Sequence, residues 1–122
     1  MNKNQQFGKL GEEIAETFLQ KKGYTILCKN YRFSRVEIDI ICEYNDEIIF
    51  VEVKTRTSDQ IAFPEQAVGK AKQHNIRIAA ENFLEEKEIN KPARFDIIAV
   101  VKDGSSFKVE HIEDAFYPFD VL

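Results

Sequence analysis

Residues 36–55 constrain the fold more than any other segment. Val36, Ile38, Ile40 and Cys42 alternate with Glu37, Asp39, Ile41 and Glu43, the period of two expected of a strand. Tyr44, Asn45, Asp46 and Glu47 read as a turn, and residues 48–55 return as a run that is almost continuously apolar apart from Glu52 and Lys54. Such a run belongs in the middle of a sheet, where charge on either face is avoided. Whether the turn holds two residues, Asn45 and Asp46, or all four, a symmetric hairpin pairs positions whose numbers sum to 91, and Asp39 then stands opposite Glu52. Like charges directly opposite on antiparallel strands are destabilising. Two carboxylates placed there point to something cationic between them.

Two oxygen ligands from facing strands suit a hard divalent ion, since Mg²⁺ takes one or two carboxylates and keeps waters and substrate phosphates in its other positions. Lys54 lies two residues beyond Glu52, on the same face of its strand. A metal lowers the pKa of a bound water and stabilises charge on a phosphoryl oxygen; Lys54 would orient that water or neutralise the developing phosphorane. The pattern therefore predicts a phosphodiester hydrolase site. The competing reading is a surface ion pair of Lys54 with Glu52 or Glu37, worth about 0 to 1 kcal/mol. The apolar neighbours Ile48, Ile49, Phe50, Val51 and Val53 weigh against it.

The rest of the chain supplies the frame. Phe7, Leu10, Ile14, Phe18 and Leu19 recur at helical steps, predicting an amphipathic helix that ends near Gly23. Residues 24–31 read as a strand, residues 57–63 as a loop, and Pro64 as a first-turn residue of a long helix running from Glu65 through Val68, Ala71, Ile76, Ala79, Ala80, Phe83 and Leu84. Residues 94–101 and 106–112 predict two more strands, joined by a tight turn at Asp103 and Gly104. Helix, three strands, helix, two strands fits an α/β fold, a central mixed sheet flanked by helices. The 122 residues suffice for a single domain, residues 1–122.

Net charge is −4, which by itself speaks against a nucleic-acid partner, but the charge is unevenly spread. Residues 1–36 carry seven Lys or Arg against three Glu, and residues 54–77 carry five cations against Asp59 and Glu65. Arg32, Arg35 and Arg56 flank the carboxylate hairpin, where Arg suits bidentate phosphate recognition, and Arg56 leads because it follows Lys54. Lys70, Lys72 and Arg77 share the second helix and could contact phosphates, the alternative being a solvated face. No run of 18 apolar residues and no signal peptide is visible, which places the chain in the cytoplasm away from membranes. Cys28 and Cys42 there read as reduced core residues. His74 and His111 have no second His or Cys at metal-ligand spacing and read as structural or solvent-facing. Neither a Walker-type loop nor a Ser-His-Asp or Cys-His arrangement is apparent. Phe116, Tyr117, Phe119, Val121 and Leu122 form an apolar tail that either closes the core or buries a homodimer contact.

These residues resemble a known family. Gly11 and Glu12 opening a helix, Gly23 and Tyr24, Asn30 and Arg32, Glu37-Ile38-Asp39, the run from Phe50 to Arg56, Arg94-Phe95-Asp96 and Ala115-Phe116 look like the bacterial YraN family, over nearly the whole chain. One departure is Val36, where the family usually has Gly before Glu-Ile-Asp. That family is similar to archaeal Holliday junction resolvases and falls, by its motifs, in the PD-(D/E)XK nuclease superfamily. The resemblance implies a restriction-endonuclease-like αβββαβ core, with the metal-binding acids on Asp39 and Glu52, the motif lysine on Lys54 and the helix-borne acid on Glu12 rather than Glu13. By the same analogy the carbonyl of Val53 is a further metal ligand.

The expectation is a Mg²⁺-dependent (or Mn²⁺-dependent) nuclease-like protein acting on DNA, including branched DNA, by shape or backbone recognition. The alternative is a nucleic-acid binding module of the same fold that recruits partners and cuts nothing.

Overall fold

A computed structural model describes residues 1–57 and 68–117. The elements are α1 (Lys3–Lys21), β1 (Thr25–Phe33), β2 (Val36–Tyr44), β3 (Glu47–Thr57), α2 (Lys70–Glu86), β4 (Ala93–Asp103) and β5 (Ser106–Ile112). They follow the predicted order. The sheet runs β1-β2-β3-β4-β5, antiparallel except for the β3–β4 pair. A parallel pair needs a crossover, and α2 lies in it. Among the described residues no helix is long and apolar enough to cross a membrane.

Two apolar layers sandwich the sheet. Ile76, Ala79, Ala80 and Phe83 of α2 pack with Ile48, Phe50, Phe95 and Ile97 on one side. Ala15 and Leu19 of α1 pack with Ile49, Val51, Ile98 and Val100 on the other. Successive residues of β3 thus alternate between two cores, which is why the run reads as continuously apolar.

Several boundaries differ from those expected. Helix α1 starts at Lys3, because Asn2 and Gln5 form a reciprocal capping box, so Gly11 and Glu12 sit inside the helix instead of opening it. Its buried stripe is Gly11, Ala15 and Leu19, with Ile14 and Phe18 flanking, and Leu10 is exposed. Helix α2 starts at Lys70 after an extended Gly69, with Val68 before it; the expected start at Glu65 falls outside the described residues. Ala71 on it is exposed. Of the expected loop, Thr57 is the last residue of β3, and residues 58–63, Pro64 and Phe119 to Leu122 fall outside the described residues. Phe116 joins the α2-side core, whereas Tyr117 is exposed. Asp103 pairs with Ser106, so the β4–β5 turn is Gly104 and Ser105, with Gly104 at φ 64°. Cys28 and Cys42 are free thiols; burial pushes the Cys42 thiol up to about 12, leaving it protonated at neutral pH.

Gly11 is where α1 meets the sheet most closely. A Cβ there would lie 2.0 Å from Cγ2 of Thr55 on β3. This approach carries the next residue, Glu12, toward the end of β3. Gly11→Ala gains about 1 kcal/mol of helix propensity, but the overlap costs about 1–3 kcal/mol, because the β-branched Thr55 side chain is stiff at χ1. We expect a net fall of several degrees in Tm, partly restored by adding Thr55→Ser, as read by thermal denaturation of the single and double variants.

Candidate active site

The hairpin turn has two residues, Asn45 and Asp46, both at positive φ (51° and 63°), the geometry of a tight hairpin that follows the twist of its strands. The observed pairs, from Tyr44 with Glu47 to Ile40 with Val51, all sum to 91, so the expected register holds. At the next step, Asp39 and Glu52, regular pairing stops. The Asp39 carboxylate takes over, its Oδ2 accepting from the Val53 N–H at 2.8 Å. The carbonyl of Val53 faces the same gap, since the N–H and C=O of a strand residue point to one side. The alternation of β2 slips here too: Ile38 packs on the α2 side with Ile41, while Ile40 and Cys42 pack on the α1 side. On β1, Asn30 lies between Lys29 and Tyr31, the partners of Ile40 and Ile38, and has φ 53° at the same place.

A cavity of about 620 Å³ opens over this fork. Glu12, Glu37, Asp39 and Glu52 line it against Arg35, Lys54 and Lys72, together with Val36, Val53 and Asn75. Glu52 is 4% exposed. Its Oε2 is 2.8 Å from Lys72 Nζ and 3.9 Å from Lys54 Nζ, and its buried Oε1 has no hydrogen-bond partner among the described residues. The Asn30 amide donates at 2.8 Å to both Glu12 and Glu37, holding these two acids at the rim.

The electrostatics follow from this crowding. Burial, then the charge of Glu52, raises Asp39 from the ordinary carboxylate range to about 7. Burial, then the charge of Lys72, lowers Lys54 below an ordinary lysine. For Lys72 burial also disfavours charge, but the hydrogen bond and charge of Glu52 outweigh it and raise its pKa. With a folded value near 7 against 3.8 for an ordinary aspartate, the native state binds more protons than the unfolded chain in this window. Asp39 therefore costs stability progressively as pH rises from about 4 to about 7. We expect Asp39→Asn, whose amide oxygen keeps the Val53 bond, to be more stable than wild type by about 1–2 kcal/mol at pH 8 in EDTA, and equal to it below about pH 4. Urea denaturation across that range measures the difference, and a pH-independent one would contradict the assignment.

Of the residues singled out from sequence, Glu12, Arg35, Asp39, Glu52, Val53, Lys54 and Lys72 line the cavity. Arg32 is exposed and paired with Glu37 at 3.1 Å. Arg56 turns back to donate to the carbonyl of Thr55, and Lys70 is exposed at the start of α2. Sequence reasoning gave no role to Asn30 or Asn75; Asn75 stands three residues after Lys72, hence on the same helix face.

Asp39 and Glu52 fit a hard divalent cation: they are two oxygen donors at a break in the ladder, and one buried carboxylate oxygen has no partner among the described residues. Among the described residues no group of three His, Cys, Asp or Glu side chains is placed to hold a metal. An ion here would rest on two carboxylates, backbone oxygen and water.

Fold and site together define a mixed-sheet α/β protein with a carboxylate pair and two lysines at a fork between its central strands. Residues 11–100 match the uncharacterised protein family UPF0102, the YraN family, and the chain belongs to it. It is similar to UPF0102 proteins of Phocaeicola vulgatus, 42% identical over 97% of this chain and 98% of the relative, and of Flavobacterium psychrophilum, 43% identical over 98% and 100%. A UPF0102 protein of Syntrophus aciditrophicus is 44% identical over 95% and 92%.

Proposed function

We propose that this protein is a Mg²⁺-dependent nuclease that hydrolyses DNA phosphodiester bonds, with branched or junction structures among its candidate substrates. The observation that carries the reading is the buried Glu52 carboxylate, with one oxygen unpartnered among the described residues, beside Asp39 where the β2–β3 pairing ends. Asp39, Glu52 and the carbonyl of Val53 would hold the ion, which when bound supplies charge stabilisation at the phosphoryl group and a more acidic water. Lys54 orients the attacking water, and its lowered pKa enlarges the fraction of free amine that can accept the water's proton at Nζ. Arg35, at the mouth of the cavity, meets the phosphate. Glu12, tied through Asn30, adds negative charge beside Asp39 and favours cation entry.

The test incubates labelled single-stranded, duplex, flapped and four-way DNA with the protein in Mg²⁺, Mn²⁺ or EDTA, beside Glu52→Ala and Lys54→Ala. Cleavage that requires metal and disappears in both variants is the expected result, and the substrate panel reads out the preferred shape. Binding without cleavage on every substrate would replace the nuclease with a recruitment module.

A further inference from the structure

The cation closest to Glu52 is not the motif lysine but Lys72 of α2, at 2.8 Å from Oε2 against 3.9 Å for Lys54. The two lysines differ in access. The Lys72 side chain is 45% exposed and that of Lys54 17%. Lys72 stands in the first turn of α2, at the mouth of the cavity, with a long stem that can swing its ammonium between the carboxylate and solvent. Charge adds a second constraint. Asp39 and Glu52 at full ionisation are balanced by Lys54 and Lys72, so a divalent ion entering between them meets two ammonium groups. A unit charge a few ångströms from a divalent ion is strongly repulsive even at the effective dielectric of a partly exposed site. The arrangement relaxes if one ammonium leaves for an incoming anion.

We infer that Lys72 is a built-in counter-ion of Glu52, drawn off Oε2 by a phosphate of the DNA substrate, so that metal and DNA bind with positive coupling. This rests on the proposed nuclease reading. Metal is then held weakly until substrate arrives, and Lys72 serves Glu52 and the DNA backbone in turn. Lys72 is a positioning residue here, acting on the metal through Glu52.

The experiment measures Mn²⁺ affinity of the full chain by calorimetry for wild type, Lys72→Met, Lys72→Arg and Glu52→Ala. It also measures four-way DNA affinity by anisotropy with and without Ca²⁺. By linkage, the factor by which metal tightens DNA is the factor by which DNA tightens metal. We expect Lys72→Met to bind Mn²⁺ about tenfold more tightly than wild type, with Lys72→Arg close to wild type. We also expect Ca²⁺ to tighten DNA binding in wild type and to lose most of that effect in Lys72→Met. Unchanged or weaker Mn²⁺ binding in Lys72→Met, or undiminished coupling, overturns the inference while leaving the metal site standing. If wild type and both Lys72 variants bind Mn²⁺ no better than Glu52→Ala, the metal site itself is wrong and the inference falls with it.

Discussion

Glu52→Gln is expected to reduce the proposed metal-dependent cleavage by at least about 10³-fold while leaving the protein folded. Glutamine keeps the volume of the side chain, and its amide oxygen can still accept from Lys72. What it removes is the charge. Metal charge stabilisation of a phosphoryl transition state is worth several kcal/mol, and each factor of ten in rate is about 1.4 kcal/mol, so losing the ion accounts for a fall of this size. The substitution also removes the second-largest cause of the Asp39 shift, so the remaining carboxyl should titrate closer to its ordinary range. Lys54→Met is the informative companion: on the proposed mechanism it should cut the rate without weakening Mn²⁺ binding, because it removes the group assigned to the attacking water and no metal ligand. Single-turnover cleavage with saturating Mg²⁺, paired with a thermal midpoint for each variant, measures both. Near-normal cleavage by a folded Glu52→Gln would remove Glu52 from the chemistry.

Much of this site is legible in the sequence because strands obey simple arithmetic. The register through residues 40–51 follows from turn symmetry; the pair the same symmetry expects next, Asp39 with Glu52, is where the ladder ends. The period of two cannot show the slip at Asp39, where a side chain replaces a backbone partner and Asn30 turns to positive φ. Helix faces are read less well, for a related reason. Large apolar residues dominate any periodicity, so Leu10 draws weight that belongs to Gly11 and Ala15, whose small size lets α1 approach the sheet. Lys72 reads only as a phosphate contact. Its contact with Glu52 joins residues 20 apart across the crossover and has no local signal.

The largest loss of stability should come from a different acid, Asp96→Ala. Asp96 is fully buried on β4, opposite Val51 and therefore one residue from Glu52 in the neighbouring strand. Its carboxylate accepts from Arg94 Nε at 2.9 Å and from Arg94 Nη2 at 2.8 Å, bonds His111 Nε2 at 2.7 Å, and accepts from the Asp114 N–H at 2.9 Å. Burial alone would raise its pKa; these bonds outweigh burial and hold it below the ordinary value. Its stabilisation is therefore present above the ordinary carboxylate pKa of about 4 and is lost as pH falls through the lower folded value. Alanine strands several partners at once. Among the described residues His111 keeps its contact with Lys22 at Nδ1 and its ring neighbours, the Asp114 N–H loses its acceptor, and Arg94 retains Tyr24, Glu113 and Glu47 but not its bidentate partner. Removing one member of a buried charge network costs about 3–5 kcal/mol, a large share of the roughly 5–15 kcal/mol that holds a domain folded. Asp96→Asn, which can keep one oxygen acceptor, should cost distinctly less. Urea midpoints at pH 7 measure both, with the gap between wild type and Asp96→Ala shrinking as the buffer is acidified toward the folded pKa. A loss below about 1 kcal/mol would place Asp96 among ordinary surface acids in energetic terms. It would also mean that the network linking α1, β4 and β5 is held mainly by Arg94 and its other partners.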